Sequence, residues 1–278
     1  MRVMTWNLWW RFGPWEERRR AILSVLRRER PDLVGLQEVW EAGGRNLAGW
    51  LAEELGMHWT WAASDRPEPW RRRLPESAAE RAVDVGNAVL SRWPISDRAV
   101  LRLPVPPGRD DGRVTLYARV DAPDGPVPFF TTHLTSSIAA SAARVRQVRA
   151  TVEFVAAHRG DGPHPPVLTG DFNAWPDSDE MRLLGGYRTA PAVRDLVLID
   201  AWEYAHPDAP WATWDPTNPY VARTYSPSAR VDYVHVGLPA PSGLGRILTV
   251  RRVGHGPEQG VWPSDHAGVL AELAGGSG

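Results

Sequence analysis

The chain reads as an α/β protein, and three observations predict this. Apolar runs of strand length alternate with amphipathic helical stretches along the whole chain, no linker interrupts the alternation, and several apolar runs close on a polar side chain. With 278 residues, 43% of them hydrophobic, the chain can bury a large core. One domain is expected over residues 1–273, with a flexible tail at 274–278.

Taken in order, residues 2–8 are predicted to form a short apolar strand. Residues 15–30 set Ile22, Leu23, Val25 and Leu26 among many Arg and Glu, an amphipathic helix ended by Pro31-Asp32, since proline cannot continue the hydrogen-bond ladder. A buried strand is expected at 33–37 with Glu38 at its C-terminal end, and a second helix at 46–55. Residues 64–84 are polar and rich in Pro and Arg, a long surface loop of the kind that carries function or moves. Strands follow at 86–91 and 113–120, with Trp93-Pro94 turning the chain between them, and at 127–134, with His133 near its end. A helix at 141–158 carries Val145, Val148, Val152 and Val155 on one face. The remaining strands are expected at 166–169, before a sharp turn at 170–173, and at 231–236 and 268–271.

Composition removes several classes of chemistry. The chain has no cysteine, which excludes disulfides, thiolate zinc sites and a cysteine nucleophile. No G-x-S-x-G elbow is present, which argues against a serine hydrolase. A formal charge of -1 argues against a broadly basic polyanion-binding surface, though a local basic groove stays compatible with it. The first residues read as a strand rather than a signal peptide, and no run approaches the ~18 apolar residues of a membrane span. A cytoplasmic monomer is the expectation. The 15 tryptophans divide between packing (Trp6, Trp93, Trp202) and expected loops (Trp59, Trp61, Trp70, Trp175, Trp211, Trp214, Trp262), where stacking on a base or sugar is the alternative to packing.

The polar strand ends carry the functional signal. Asn7 closes MTWN, Glu38 lies in LQEV, His133 in TTHL, Asp171 and Asn173 in GDFNA, Asp232 in RVDYV, and Asp265 and His266 in SDH. Carboxylates and imidazoles are costly beside apolar runs, so their repetition calls for a use. With GNAVLSRWPI, these motifs in this order resemble the endonuclease/exonuclease/phosphatase superfamily from Thr5 to His266. The resemblance implies a four-layered α/β sandwich, two packed mixed β-sheets flanked by helices, with the active site where strand ends converge. It also implies a divalent-metal-dependent phosphoesterase.

The roles it implies fit the residue types. Glu38 and Asn7 offer hard oxygen ligands suited to Mg²⁺ or Mn²⁺. Asp265 is read as a further ligand, direct or through water, with a purely structural carboxylate as the alternative. His266 is expected to deprotonate the attacking water and Asp232 to hold its tautomer. Asp171 and Asn173 would orient water and phosphate, and His133 would donate to a phosphoryl oxygen. Asn87 is expected to support the site. Arg144 and Gln147 repeat an R-x-x-Q spacing of tyrosyl-DNA-phosphodiesterase-like relatives, which implies a phosphate contact for Arg144; a helix-surface salt bridge is the alternative. The Arg run at 71–73 is either a backbone-phosphate contact or a solvated loop. Trp9 stands where some nuclease relatives carry a second metal-binding acid, so one-metal chemistry is expected. Nucleic acid is the first expected substrate, a small or lipid phosphoester the second. A catalytically inactive binding module is a distant third, since the residues such modules lose are all present.

Overall fold

The computed structural model describes residues 1–64, 83–105 and 112–275. The Arg run at 71–73, Trp70, most of the expected 64–84 loop and the end of the expected tail lie outside the described residues. Two mixed sheets pack face to face. The first runs β12 (Ile247–Val253), β13 (Gly268–Leu273), β1 (Arg2–Asn7), β2 (Leu33–Ala42), β5 (Asp84–Ser91), β4 (His58–Ala63), with the short β3 (Arg45–Asn46) beside β2. The second runs β10 (Leu198–Asp200), β11 (Asp232–Gly237), β9 (Val167–Asp171), β8 (Gly125–His133), β7 (Val114–Ala122), β6 (Ile95–Arg102). Only β1–β2 and β8–β9 are parallel among the pairings described.

Three apolar clusters make the layers. Val3, Leu33, Val89, Leu116, Phe129, Val234 and Ala271 pack between the sheets. On the outer face of the first sheet, Met4, Trp6, Val34 and Leu36 meet Ile22 and Leu26 of α1 (Trp15–Glu29) and Ala48 and Leu51 of α2 (Leu47–Leu55). Outside the second sheet, Phe130, Leu168, Phe172 and Tyr233 pack against Val148, Val152 and Val155 of the helix Ser141–His158. The four-layered sandwich is therefore the observed architecture. No helix among the described residues is long and apolar enough to cross a membrane.

Helix ends follow local chemistry. Asn46 caps α2 by accepting from the Ala48 and Gly49 amides, and Gly56 closes it in the left-handed region. At the end of α1 it is Arg30, just before Pro31, that turns left-handed. Two expectations need correction. Trp93-Pro94 does not turn β5 directly into β7, because the edge strand β6 intervenes. The inward face of Ser141–His158 also differs from the valine stripe: Arg144, Gln147 and Thr151 are buried in it, whereas Val145 is half-buried.

Candidate active site

Strand alternation builds the site. In β1, Val3, Thr5 and Asn7 share the face toward the second sheet; in β8 the corresponding set is Phe129, Thr131 and His133, and in β9 Val167, Thr169 and Asp171. Each of these three strands runs from an apolar residue through threonine to a functional side chain. Register aligns the ends, since Asp171 pairs with His133 on one side and with Asp232 on the other.

Glu38 reaches this rim by a different device. Leu36 and Val39 both pack outward, and the pairing of β2 with β5 slips between them. Simple alternation would have sent Glu38 outward with Leu36. A bulge with Glu38 at φ 53° turns its side chain toward the cleft, and β2 continues to Ala42 instead of ending there.

The groups converge on a cleft of about 290 Å³, whose lining includes Trp9, Glu38, His133, Asp171, Asn173, Trp175, Trp214, Asp265 and His266. On its floor, His266 Nδ1 donates to Asp232 Oδ2 at 2.8 Å, and its Nε2 lies 3.8 Å from Asp171 Oδ2. His133 Nε2 stands 3.3 Å from the same oxygen. The Asn7 amide bridges two carboxylates, donating to Glu38 Oε1 (3.1 Å) and Asp171 Oδ2 (2.9 Å). Asn173, left-handed at φ 49°, donates its backbone N–H to Asp171 Oδ1 and its side-chain amide to the Leu134 carbonyl.

Charge in this enclosure is crowded. Burial, then the neighbouring Asp232, pushes the Asp171 carboxyl up to about 7. Burial, reinforced by Glu38, raises Asp265 to about 7 against the opposing pull of His266 and Arg18. Burial disfavours the His266 imidazolium, but Asp232, Asp171 and Asp265 together outweigh it and hold the ring protonated well above its usual range.

A cation fits this donor set. Glu38 Oε2 is buried without a hydrogen-bond partner, beside a cleft that also holds Asp171 and Asp265. An all-oxygen set of this kind suits Mg²⁺ or Mn²⁺. Donor atoms of Asp171, Asp232 and His266 also lie within 4.8 Å of one another, but the Asp232–His266 hydrogen bond commits that pair to a dyad.

Arg144 is the expected site residue that the structure does not bring to the cleft lining. It is buried away from the cleft lining, paired with Glu180 at 3.0 Å and donating to the carbonyls of Thr135 and Ser137. Gln147 likewise serves the backbone, accepting from the Thr135 amide and donating to Pro104 O. Asn87 donates to the Val114 carbonyl, and Trp59 and Trp61 lie in β4 rather than in loops.

Supporting residues escaped the motif reading. Gln37 crosses between the sheets to Thr131 Oγ1, Thr213 Oγ1 accepts from the Asp232 amide, and Asn218 holds the Ser264 carbonyl. Ser264 Oγ donates to the Asn7 carbonyl at 2.6 Å and so ties the first motif to the last. Gln37 and Ser264 sit inside LQEV and SDH, where adjacency was the available signal; nothing local marks Thr213 or Asn218.

A two-sheet sandwich with a His–Asp dyad and clustered carboxylates at one rim defines a phosphoesterase-type fold and site. The chain belongs to the endonuclease/exonuclease/phosphatase family, whose model matches residues 4–266. Members of the family are hydrolases of phosphoester bonds and generally depend on a divalent metal. Similar solved structures include an endonuclease/exonuclease/phosphatase protein from Beutenbergia cavernae, 26% identical with a TM-score of 0.70 over 99% of this chain and 72% of that one. The human Nocturnin catalytic domain with bound sulfate is 19% identical (TM-score 0.72, 99% of this chain, 94% of that one). TDP2 from D. rerio with a single-strand DNA product is 18% identical (TM-score 0.74, 98% and 97%), and at such identity the last two speak for the fold alone. No curated protein matches the chain.

Proposed function

We propose that the chain hydrolyses a phosphodiester bond, with nucleic acid as the first substrate class, using a water that His266 deprotonates. The observation that carries this reading is the buried His266–Asp232 dyad opening onto the cleft where Glu38 keeps an unpartnered carboxylate oxygen. His266 Nε2 faces the cleft as the proton acceptor, and Asp232 holds the ring through Nδ1. Asp171 and Asn173 orient water and phosphate, and His133 donates to a phosphoryl oxygen. Glu38, Asp265 and Asn7 would hold the metal, with Asn7 also spacing Glu38 from Asp171. A bound Mg²⁺ or Mn²⁺ would supply neutralisation of the phosphate charge and of Asp265, one of the three carboxylates that raise His266.

Trp175 and Trp214 along the cleft offer aromatic surface for bases, which favours nucleic acid. One observation favours a small or lipid phosphoester instead: no arginine is among the described residues lining the cleft, so none of these residues offers a second phosphate a guanidinium.

The test is hydrolysis of bis-p-nitrophenyl phosphate, p-nitrophenyl phosphate, plasmid and single-stranded DNA with Mg²⁺, Mn²⁺ or EDTA. Metal-dependent diester and DNA cleavage, lost in His266→Ala, is the expected result. Turnover of the aryl diester without DNA cleavage moves the substrate to the second class. Cleavage that persists in EDTA or in His266→Ala overturns the mechanism.

A further inference from the structure

Arg18 sits in α1, fully buried, in the first-turn Glu/Arg segment that reads as a solvated helix face. Its guanidinium hydrogen-bonds to five backbone carbonyls and to no carboxylate: Leu8, Trp9, Trp10, Phe12 and Pro263, at 2.8–3.1 Å. The Trp9 ring lies over it at 4.8 Å. A buried cation served only by neutral carbonyls is costly unless it organises something.

What it organises is the turn after Asn7. Trp9 and Trp10 are both left-handed, at φ 55° and 38°, a conformation that bulky side chains rarely adopt. With its carbonyls gripped by Arg18, this turn points two amides at the bulge in β2: Leu8 N–H donates to Gln37 O (2.9 Å) and Trp10 N–H to Glu38 O (3.1 Å). The same Nη1 that holds Leu8 O also holds Pro263 O, next to Ser264, whose hydroxyl meets Asn7 O and the His266 amide. One guanidinium thus joins the segment behind Glu38 to the segment carrying Asp265 and His266.

We infer that Arg18 is a positioning residue that sets the separation of Glu38 from Asp265 and His266 across the cleft. The inference rests on the reading of Glu38 and Asp265 as metal ligands. Its charge also faces Asp265 and Glu38, whose pull keeps the guanidinium protonated although burial lowers it to about 10.

Charge and position predict opposite signs, which makes the inference testable. If Arg18 acted on the cleft only as a positive charge, Arg18→Gln would tighten cation binding. If it positions the ligands, Arg18→Gln weakens cation binding, and Arg18→Lys does too, because an ammonium cannot reach all five carbonyls. The measurements are Mn²⁺ binding by calorimetry, metal-free Tm, and kcat and KM on bis-p-nitrophenyl phosphate, well below Tm with folding verified by near-UV circular dichroism. We expect Mn²⁺ affinity to fall ~10–100-fold in both variants, with kcat falling more than KM rises. Mn²⁺ affinity and kcat equal to wild type, with only Tm lowered, reduces Arg18 to a helix anchor and overturns the inference, as does full rescue by lysine. If Arg18→Gln does not fold, Arg18→Lys decides by the same criterion. Wild-type protein that binds no Mn²⁺ overturns the metal reading and this inference together; binding by wild type and equal binding by the variants overturns this inference alone.

Discussion

Glu38 combines a left-handed backbone with a buried carboxylate oxygen that no donor serves. Each is unfavourable, and neither contributes to packing, which supports the proposal that Glu38 is kept for a ligand. Glu38→Gln removes the charge at constant size. It is expected to abolish metal-dependent turnover while leaving metal-free Tm unchanged or raised, read by thermal melts and diester hydrolysis side by side. Asp232→Asn separates a different function, because it keeps the shape of the dyad but no longer stabilises the imidazolium. Its kcat is expected to drop ~10²–10⁴-fold with Mn²⁺ affinity little changed, measured by steady-state kinetics and calorimetry. These proposed roles could be read from the sequence because each residue sits in a motif. Arg18 was not, since an arginine among arginines on a helix shows no local sign that it points inward.

At the scale of elements, β2 approaches the second sheet closely at Gly35. A Cβ added at Gly35 would lie 2.0 Å from Thr169 Oγ1 and 2.7 Å from Thr131 Oγ1, so β2 and the second sheet approach as closely as they do only because that side chain is missing. Gly35→Ala is expected to destabilise by about 1–3 kcal/mol in urea denaturation and to lower activity by separating Glu38 from His133 and Asp171. Short helices at Asp179–Gly185 and Pro219–Ala222 and the two-residue β3 were not expected from the sequence, and the longer strands it missed share a position. Strands β4, β6, β10 and β12 are the four sheet edges, where one strand side has no partner among the described residues. Their residues alternate imperfectly and carry charges such as Asp97, Arg98, Arg251 and Arg252, which protect an edge but erase the apolar signal of a strand. Central strands, buried on both faces, kept that signal and were read from it.

Over the whole molecule, stability depends on pH through groups far from the chemistry as well as near it. Burial, with Arg230 adding to it and Asp200 opposing, pushes His235 down to about 4, and its Nδ1 has no hydrogen-bond partner. The unfolded chain therefore binds a proton near 6.5 that the folded chain refuses until about 4. Its contribution is present above pH 6.5 and is lost as pH falls through that window, amounting to about 3 kcal/mol. His235→Leu is expected to flatten the acid limb of a stability–pH curve by that amount relative to wild type; curves of equal slope would show that His235 is not its source. Asp171 and Asp265 have the opposite slope, since raised carboxyls favour the folded state at low pH, but both proteins share them and the comparison cancels them. The sequence by itself determined the α/β class, the central strands, the helix Ser141–His158 and the motif residues from Asn7 to His266, because burial periodicity and motif chemistry are local properties of a chain. Only the tertiary structure decided that Glu38 turns into the cleft through a bulge, that Arg144 pairs with Glu180 away from it, and that Arg18 grips the turn after Asn7 together with Pro263, 245 residues from itself. Those outcomes depend on which strands and turns come to lie side by side, and contact across such distances leaves no periodicity in the residues that make it.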